Sequence, residues 1–231
     1  MTGALAYASR LALDLLFPPQ CALCGCGGTL LCHACIDALP PAGGRRCGMC
    51  WMPVASGALC RHCEERRPAF SSIRAAFVMD AGARRLAHEL KYEGLTSLAA
   101  TMAALMGAAG SENADELTVA VPLHRGRERA RGYNQSAALA REIARCAGLA
   151  YDGQAVRRTR ATAPLAKTMR RDERVAIVAG SFAAEAKRVK GRRILLVDDV
   201  VTTGATLDAC ADALKSAGAA DVRCLVWARA D

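Results

Sequence analysis

Residues 194–210 read ILLVDDVVTTGATLDAC. The opening run ILLV is short and uninterrupted, the pattern of a strand buried on both faces of a parallel sheet. It leads straight into two adjacent carboxylates, Asp198 and Asp199. Val200 and Val201 follow, then Thr202, Thr203, Gly204, Ala205 and Thr206, where a helix is expected to open. Helix amino termini present N–H groups and the positive end of the dipole, and a glycine lets backbone come close, so this loop has the chemistry of a phosphate cradle. The three threonine hydroxyls add donors. Two carboxylates just upstream suit the hydroxyls of a sugar, or a magnesium ion carried on a polyphosphate. A nucleoside-triphosphate loop is excluded, because no G-x-x-x-x-G-K-[ST] occurs and no G-x-G-x-x-G follows a strand.

Working outward, strand patterns at 71–80, 116–121, 193–197 and 221–227 alternate with helical apolar spacing at 81–92, 95–109, 134–148 and 203–217. Strands alternating with helices imply an α/β architecture, a parallel sheet covered on both faces, with ligands at the carboxyl ends of the strands.

The 231 residues are 52% hydrophobic and 23% charged, a globular composition that excludes disordered, collagen-like and coiled-coil classes. Formal net charge is +9, and 26 of the 31 basic residues are Arg. Residues 121–175 hold 13 basic against five acidic side chains, whereas residues 1–70 carry a net charge of only +2. The excess charge is therefore concentrated in one segment, and an anionic partner is expected. Aromatic residues, at 4%, are too scarce for a base-stacking platform, and Trp51 and Trp227 read as packing residues. The apolar run at 11–17 is broken by Asp14 and falls short of the roughly 20 residues of a membrane span. With neither a basic n-region nor a cleavage site at its start, the chain is expected to be cytoplasmic, with reduced thiols and no membrane span.

Nine of the 12 cysteines lie between Cys21 and Cys63. Eight form C-x-x-C pairs: Cys21 with Cys24, Cys32 with Cys35, Cys47 with Cys50, and Cys60 with Cys63. Each knuckle directs two thiolates at one tetrahedral ion, so four pairs can hold two structural zinc ions. The segment has almost no aliphatic core, and metal binding supplies the missing folding energy, on the order of 10 kcal/mol per ion. Short intervening loops favour sequential pairing, with crossed pairing open. Cys26, His33 and His62 read as spacers.

The 13 residues 194–206 resemble the phosphoribosyl-pyrophosphate (PRPP) signature of type I phosphoribosyltransferases: four hydrophobic residues, two acids, two hydrophobic residues, then T-T/S-G-x-T. With VPLHRGRERARGYNQSAALA at 121–140, HELKYEG at 88–94 and the cysteine-rich front end, the chain resembles the ComF family. That resemblance implies an amphipathic helix at 1–20, a double zinc ribbon at 21–67 and a type I phosphoribosyltransferase fold at 68–231. It implies that Asp198 and Asp199 are the catalytic pair on the ribose hydroxyls. Val200 and Thr202, Thr203, Gly204, Ala205 and Thr206 would surround the 5-phosphate. Leu123, His124 and Arg125 would form the turn near pyrophosphate. Lys91, Arg127, Arg131, Arg158, Arg160, Lys167, Arg170, Arg171 and Arg174 would be cations for pyrophosphate or nucleic acid, the last several in the loop that closes over substrate. Two departures stand out. Tyr133 replaces the family's usual Phe, and the Gln common after Thr159 is missing, with Pro164 near its place.

The implied cofactors are two zinc ions and magnesium with PRPP. The implied partners are single-stranded DNA and a competence helicase or recombination factor. Two functions stay open: a PRPP-binding protein that handles single-stranded DNA, and an enzyme moving phosphoribose to a nitrogen acceptor with pyrophosphate release. The first is favoured because no acceptor site is legible. A docking role for 5–17 is a third reading.

Overall fold

Period-two alternation runs through the middle of the molecule. Along Arg193–Val201, Ile194 and Leu196 face one helical layer and Leu195 and Val197 the other, and all four are buried. Such a strand has no solvent side and must be central. The structure, a computed structural model, describes residues 18–92, 97–107, 116–160 and 176–230.

In chain order the strands are β1 (Ser72–Val78), β2 (Leu117–Ala120), β3 (Ala150–Tyr151), β4 (Val156–Arg158), β5 (Phe182–Ala184), β6 (Arg193–Val201) and β7 (Asp221–Arg229). The helices are α1 (His33–Asp37), α2 (Arg61–Glu65), α3 (Ala81–Tyr92), α4 (Leu98–Gly107), α5 (Arg125–Arg131), α6 (Gln135–Ala147), α7 (Ala186–Val189) and α8 (Ala205–Ser216). Five strands form a parallel sheet in the order β1-β7-β6-β2-β3. β4 and β5 form a separate antiparallel pair.

From β6 the chain moves by α8 to β7, and from β2 it moves the opposite way to β3. The boundary between β6 and β2 is thus the topological switch point, where a crevice opens beyond the strand ends. One face is covered by Leu207, Cys210, Ala211 and Leu214 of α8. The other is covered by Leu86 and Leu90 of α3, Met102 of α4, and Leu139 and Ile143 of α6.

The helix expected at 81–92 forms over that whole range, and those at 134–148 and 95–109 appear as α6 and α4. Two strands run further than their apolar patterns. β6 extends through both acids because its pairing with β7 continues to Val201 opposite Arg229. The last helix begins at Ala205, not at Thr203, because Gly204 takes a left-handed conformation, φ 82°, as its N-cap. Of the three cysteines outside residues 21–63, Cys146 is exposed, while Cys210 and Cys224 are buried.

The cysteine-rich segment is joined to the sheet. Ala42 N–H donates to the Ala76 carbonyl at 2.9 Å and Val78 N–H to the Pro40 carbonyl at 2.9 Å, so residues 40–42 lie along the outer edge of β1. Among the described residues no helix is long and apolar enough to cross a membrane. The amphipathic helix expected at 1–20 lies outside the described residues but for 18–20.

Trp227 is fully buried in β7, packs against Phe77 with ring centroids 4.6 Å apart and planes tilted by 52°, and donates its indole N–H to the Ala83 carbonyl at 3.0 Å. It anchors the start of α3. Trp227→Ala is expected to cost about 3–5 kcal/mol, read from urea unfolding followed by the fluorescence of Trp51.

Candidate functional site

At the carboxyl end of β6 the alternation of the strand sends neighbouring side chains to opposite faces. Asp198 and Asp199 therefore diverge. Asp199, 4% exposed, takes an ion pair from Lys91 at the end of α3 and a 3.4 Å hydrogen bond from Gln135 Nε2 at the start of α6. Asp198 accepts from Ser136 Oγ at 2.7 Å and from the Asp199 N–H at 2.9 Å. Burial, then the charge of Asp199, pushes the Asp198 carboxyl up to about 7, against the pull of Ser136 and Lys91. Burial works against the Lys91 ammonium, but Asp199 more than offsets it and holds that pKa above its ordinary value.

The segment that supplies these partners is built residue by residue. Gly132 closes α5 in a left-handed turn, φ 85°. The Tyr133 hydroxyl donates to the Leu90 carbonyl, next to Lys91. Asn134 caps α6 by accepting from Ser136 N–H at 3.0 Å, and donates to the Val121 carbonyl at the end of β2. Gln135 and Ser136 are then aimed at the acids. Tyr133, where the family has Phe, thus uses its extra oxygen on α3.

Beside the acids, α8 starts with no side-chain cap; Ala205 N–H approaches Thr203 Oγ1 at 3.4 Å. A Cβ on Gly204 would meet Ile73 and Phe70 at 3.8 and 3.9 Å, so space is ordinary and the positive φ is the reason for glycine. Across the switch point, Leu123, His124 and Arg125 line a cleft of about 290 Å³ with Arg157, Arg158 and Thr159. His124 Nδ1 accepts from Gly126 N–H at 3.2 Å and so caps α5. Burial and the Arg127 charge lower the Arg158 pKa, and Asp198 pulls it back.

The structure thus brings together Asp198, Asp199 and Lys91, and separately gathers the 123–125 turn with Arg158 and Arg127. Arg131 meets the acids only through Gln135, donating to its Oε1 while Gln135 Nε2 donates to Asp199, and lies over the face of Tyr92, 4.9 Å from the ring centroid. Arg125 and Arg160 are exposed. Lys167, Arg170, Arg171 and Arg174 lie outside the described residues. Gln135 and Ser136 were not expected as site residues, although they stand inside the conspicuous RGYNQS stretch.

The thiols gather in two groups, Cys21, Cys24, Cys26 and Cys32, and Cys47, Cys50, Cys60 and Cys63, each with all sulfurs within 4.8 Å of one another. Grouping is sequential along the chain. Cys24 and Cys32 sulfurs are 3.7 Å apart and Cys50 and Cys60 sulfurs 3.5 Å, close to the edge of about 3.8 Å in a tetrahedron with zinc–sulfur bonds of about 2.3 Å. The donor set fits zinc. Cys26, read from spacing as a spacer, stands in the first group, its thiol pushed up to about 12 by the Cys24 and Cys32 thiols. Cys35, expected as a ligand with Cys32, stands outside that four-sulfur group, although it lies against Cys32, Cys24 and Cys21, which with burial raise its pKa.

Residues 92–230 match the phosphoribosyl transferase domain family and residues 12–64 the double zinc ribbon domain. A protein named DNA utilization protein YhgH in Salmonella typhimurium is 32% identical over 193 residues, spanning 78% of this chain and 82% of its own length. The chain belongs to the ComF family of phosphoribosyltransferase-domain proteins. The YhgH of Escherichia coli strain K12 matches this ComF protein at 31% identity over the same shares. Competence protein F of Haemophilus influenzae is 32% identical over 48% of each chain. A glutamine PRPP amidotransferase of B. subtilis superimposes with a TM-score of 0.42 at 19% identity, over 60% of this chain and 30% of its own.

The raised Asp198 pKa has a consequence for stability. Between about pH 4, where a free Asp ionises, and about pH 7, where Asp198 ionises in the fold, the folded chain holds a proton that the unfolded chain has lost. Stability therefore falls as pH rises through that window. Asp198→Asn is expected to make the decline shallower, measured by urea unfolding at pH 5 and pH 8 in magnesium-free buffer. The thiol titrations are common to both proteins and cancel in the comparison.

Proposed function

We propose that this ComF protein binds PRPP with magnesium at the switch point and uses that state while handling single-stranded DNA. The reading rests on one observation above others: two buried carboxylates, each held by a separate helix-start side chain, next to a helix amino terminus whose N-cap is a glycine and whose nearest side-chain acceptor is the Thr203 hydroxyl, 3.4 Å from the Ala205 N–H. The 202–206 loop takes the 5-phosphate, with the Thr202, Thr203 and Thr206 hydroxyls as donors. Asp198 and Asp199 accept from the ribose hydroxyls, and Lys91 yields part of its contact with Asp199 as they do. Leu123, His124 and Arg125, with Arg158, lie where pyrophosphate extends. Magnesium, carried by PRPP, supplies charge neutralisation there.

The DNA part of the reading draws on the names of the relatives and on charge. Arg125 and Arg157 line the cleft, Arg129 and Arg160 each follow a lining residue in sequence, and all four are exposed; exposed guanidinium groups suit phosphate contact without base selection. A second reading is turnover, favoured by the cationic cleft lining, since fixed cations stabilise departing pyrophosphate. Release of pyrophosphate from Mg-PRPP that requires one nucleobase or amine would establish it.

Calorimetry with Mg-PRPP is expected to show binding by the wild type, weakened about 100-fold or more by Asp198→Asn with Asp199→Asn, as loss of two charged acceptors entails. Equal affinity in that variant removes the reading. Affinity for single-stranded DNA should fall linearly with salt on logarithmic axes, and Arg129→Gln should lower the slope by about 1. Binding indifferent to salt would exclude a phosphate-contact mode.

A further inference from the structure

Arg229 is the last residue of β7, 0% exposed, with Val201 of β6 opposite on one side and Val78 of β1 on the other. Its guanidinium reaches out of the sheet in two directions at once. Nη1 donates to the Cys50 carbonyl at 2.6 Å and Nε to Met52 Sδ at 3.1 Å, both in the second cysteine group's loop. Nη2 donates to the Thr202 carbonyl at 3.0 Å, where the phosphate loop begins. A single rigid fork therefore spans a metal-site knuckle and the ligand loop. Lysine has no equivalent, because its donors radiate from one point.

The same knuckle is fastened to the strand under the loop. Ile73 N–H donates to the Met49 carbonyl at 2.6 Å and Arg74 donates to the Gly48 carbonyl at 3.2 Å. Ile73 and Phe70 in turn form the floor beneath Gly204. The first cysteine group is placed differently: Cys21 and Leu31 pack in the other core, against α3. The two metal centres thus differ in their connection to the loop.

We infer that Arg229 is a positioning residue that couples metal occupancy of the Cys47, Cys50, Cys60 and Cys63 site to the conformation of the 202–206 loop. A buried guanidinium is tolerable only while acceptors surround it. When the metal leaves, the knuckle opens and the Cys50 carbonyl withdraws. The guanidinium then reorganises and the Thr202 carbonyl loses its fixed donor. The loop is organised with the second ion in place and loosened without it, while the first ion is silent at this distance. The inference names a control on the pocket proposed above and rests on that reading only for the identity of the ligand.

Hydrogen exchange by mass spectrometry tests the coupling without any ligand. Cys60→Ala is expected to speed exchange of the Asp208 and Ala230 amides, which donate to the Gly204 and Val201 carbonyls of the loop and its flank, by about tenfold or more, as expected for a local opening, whereas Cys24→Ala leaves them unchanged. Arg229→Lys should speed them similarly while retaining both zinc equivalents and the tetrahedral spectrum of a cobalt-substituted protein. Equal effects of Cys60→Ala and Cys24→Ala, or an unaltered loop in Arg229→Lys, overturn the coupling. Should a variant unfold, wild type decides: Mg-PRPP, or inorganic phosphate at high concentration, should tighten zinc binding at one of the two sites, read by equilibrium competition with a chelator, and leave the other alone, by reciprocity of linked equilibria. Equal tightening at both sites overturns it. Loop exchange that responds to the second metal site, with no binding of PRPP, would remove the PRPP reading and leave the coupling standing.

Discussion

Two carboxylates side by side at the buried end of a central strand repel each other and lose hydration, so they persist only where neighbours supply charge and donors. The site is organised around that requirement. α3 ends so that Lys91 meets Asp199, and α6 begins so that Gln135 and Ser136 reach one acid each. Asn134 fastens the start of α6 to the end of β2, and Tyr133 fastens it to α3. Two helices and two strands are thus locked in register by the same need to satisfy a pair of charges. A ligand bearing hydroxyls finds acceptors already oriented, at the cost of loosening contacts that hold them.

The ribbon answers a different physical problem. Its residues contribute little aliphatic surface, yet Cys47, Cys50 and Cys63 lie within the same apolar cluster as Phe70, Ile73 and Leu207. Thiol groups behave here as small hydrophobes on one side and as metal ligands on the other. The consequence is that metal binding and sheet packing stabilise each other across a continuous interior.

Much of this was legible before any coordinates. The buried run before Asp198, the abrupt change to threonine and glycine, and the paired cysteines each have one dominant physical reading, and those elements form. What stayed hidden was long-range. Arg229 looks like an ordinary charged residue at a chain end, and only the approach of residues 50 and 202 gives it a role. Gln135 and Ser136 read as the opening turn of an amphipathic helix, since nothing local tells a cap from a ligand to a distant acid. Cys26 was set aside by spacing, because knuckle arithmetic counts separations along the chain while sulfurs gather in space. α5 and β3 to β5 were missed as well: short elements with mixed polarity carry too little periodicity to register.

Residues 40–42 run along the outer edge of β1. An outermost strand offers a row of unsatisfied peptide groups to any extended chain that passes, and proteins suppress this by covering or interrupting it. Here the cover belongs to the stretch between the two cysteine groups, whose fold depends on metal. Closing the sheet margin is thus a second task of the stretch that joins the two thiol groups, beside carrying the chain from one group to the other.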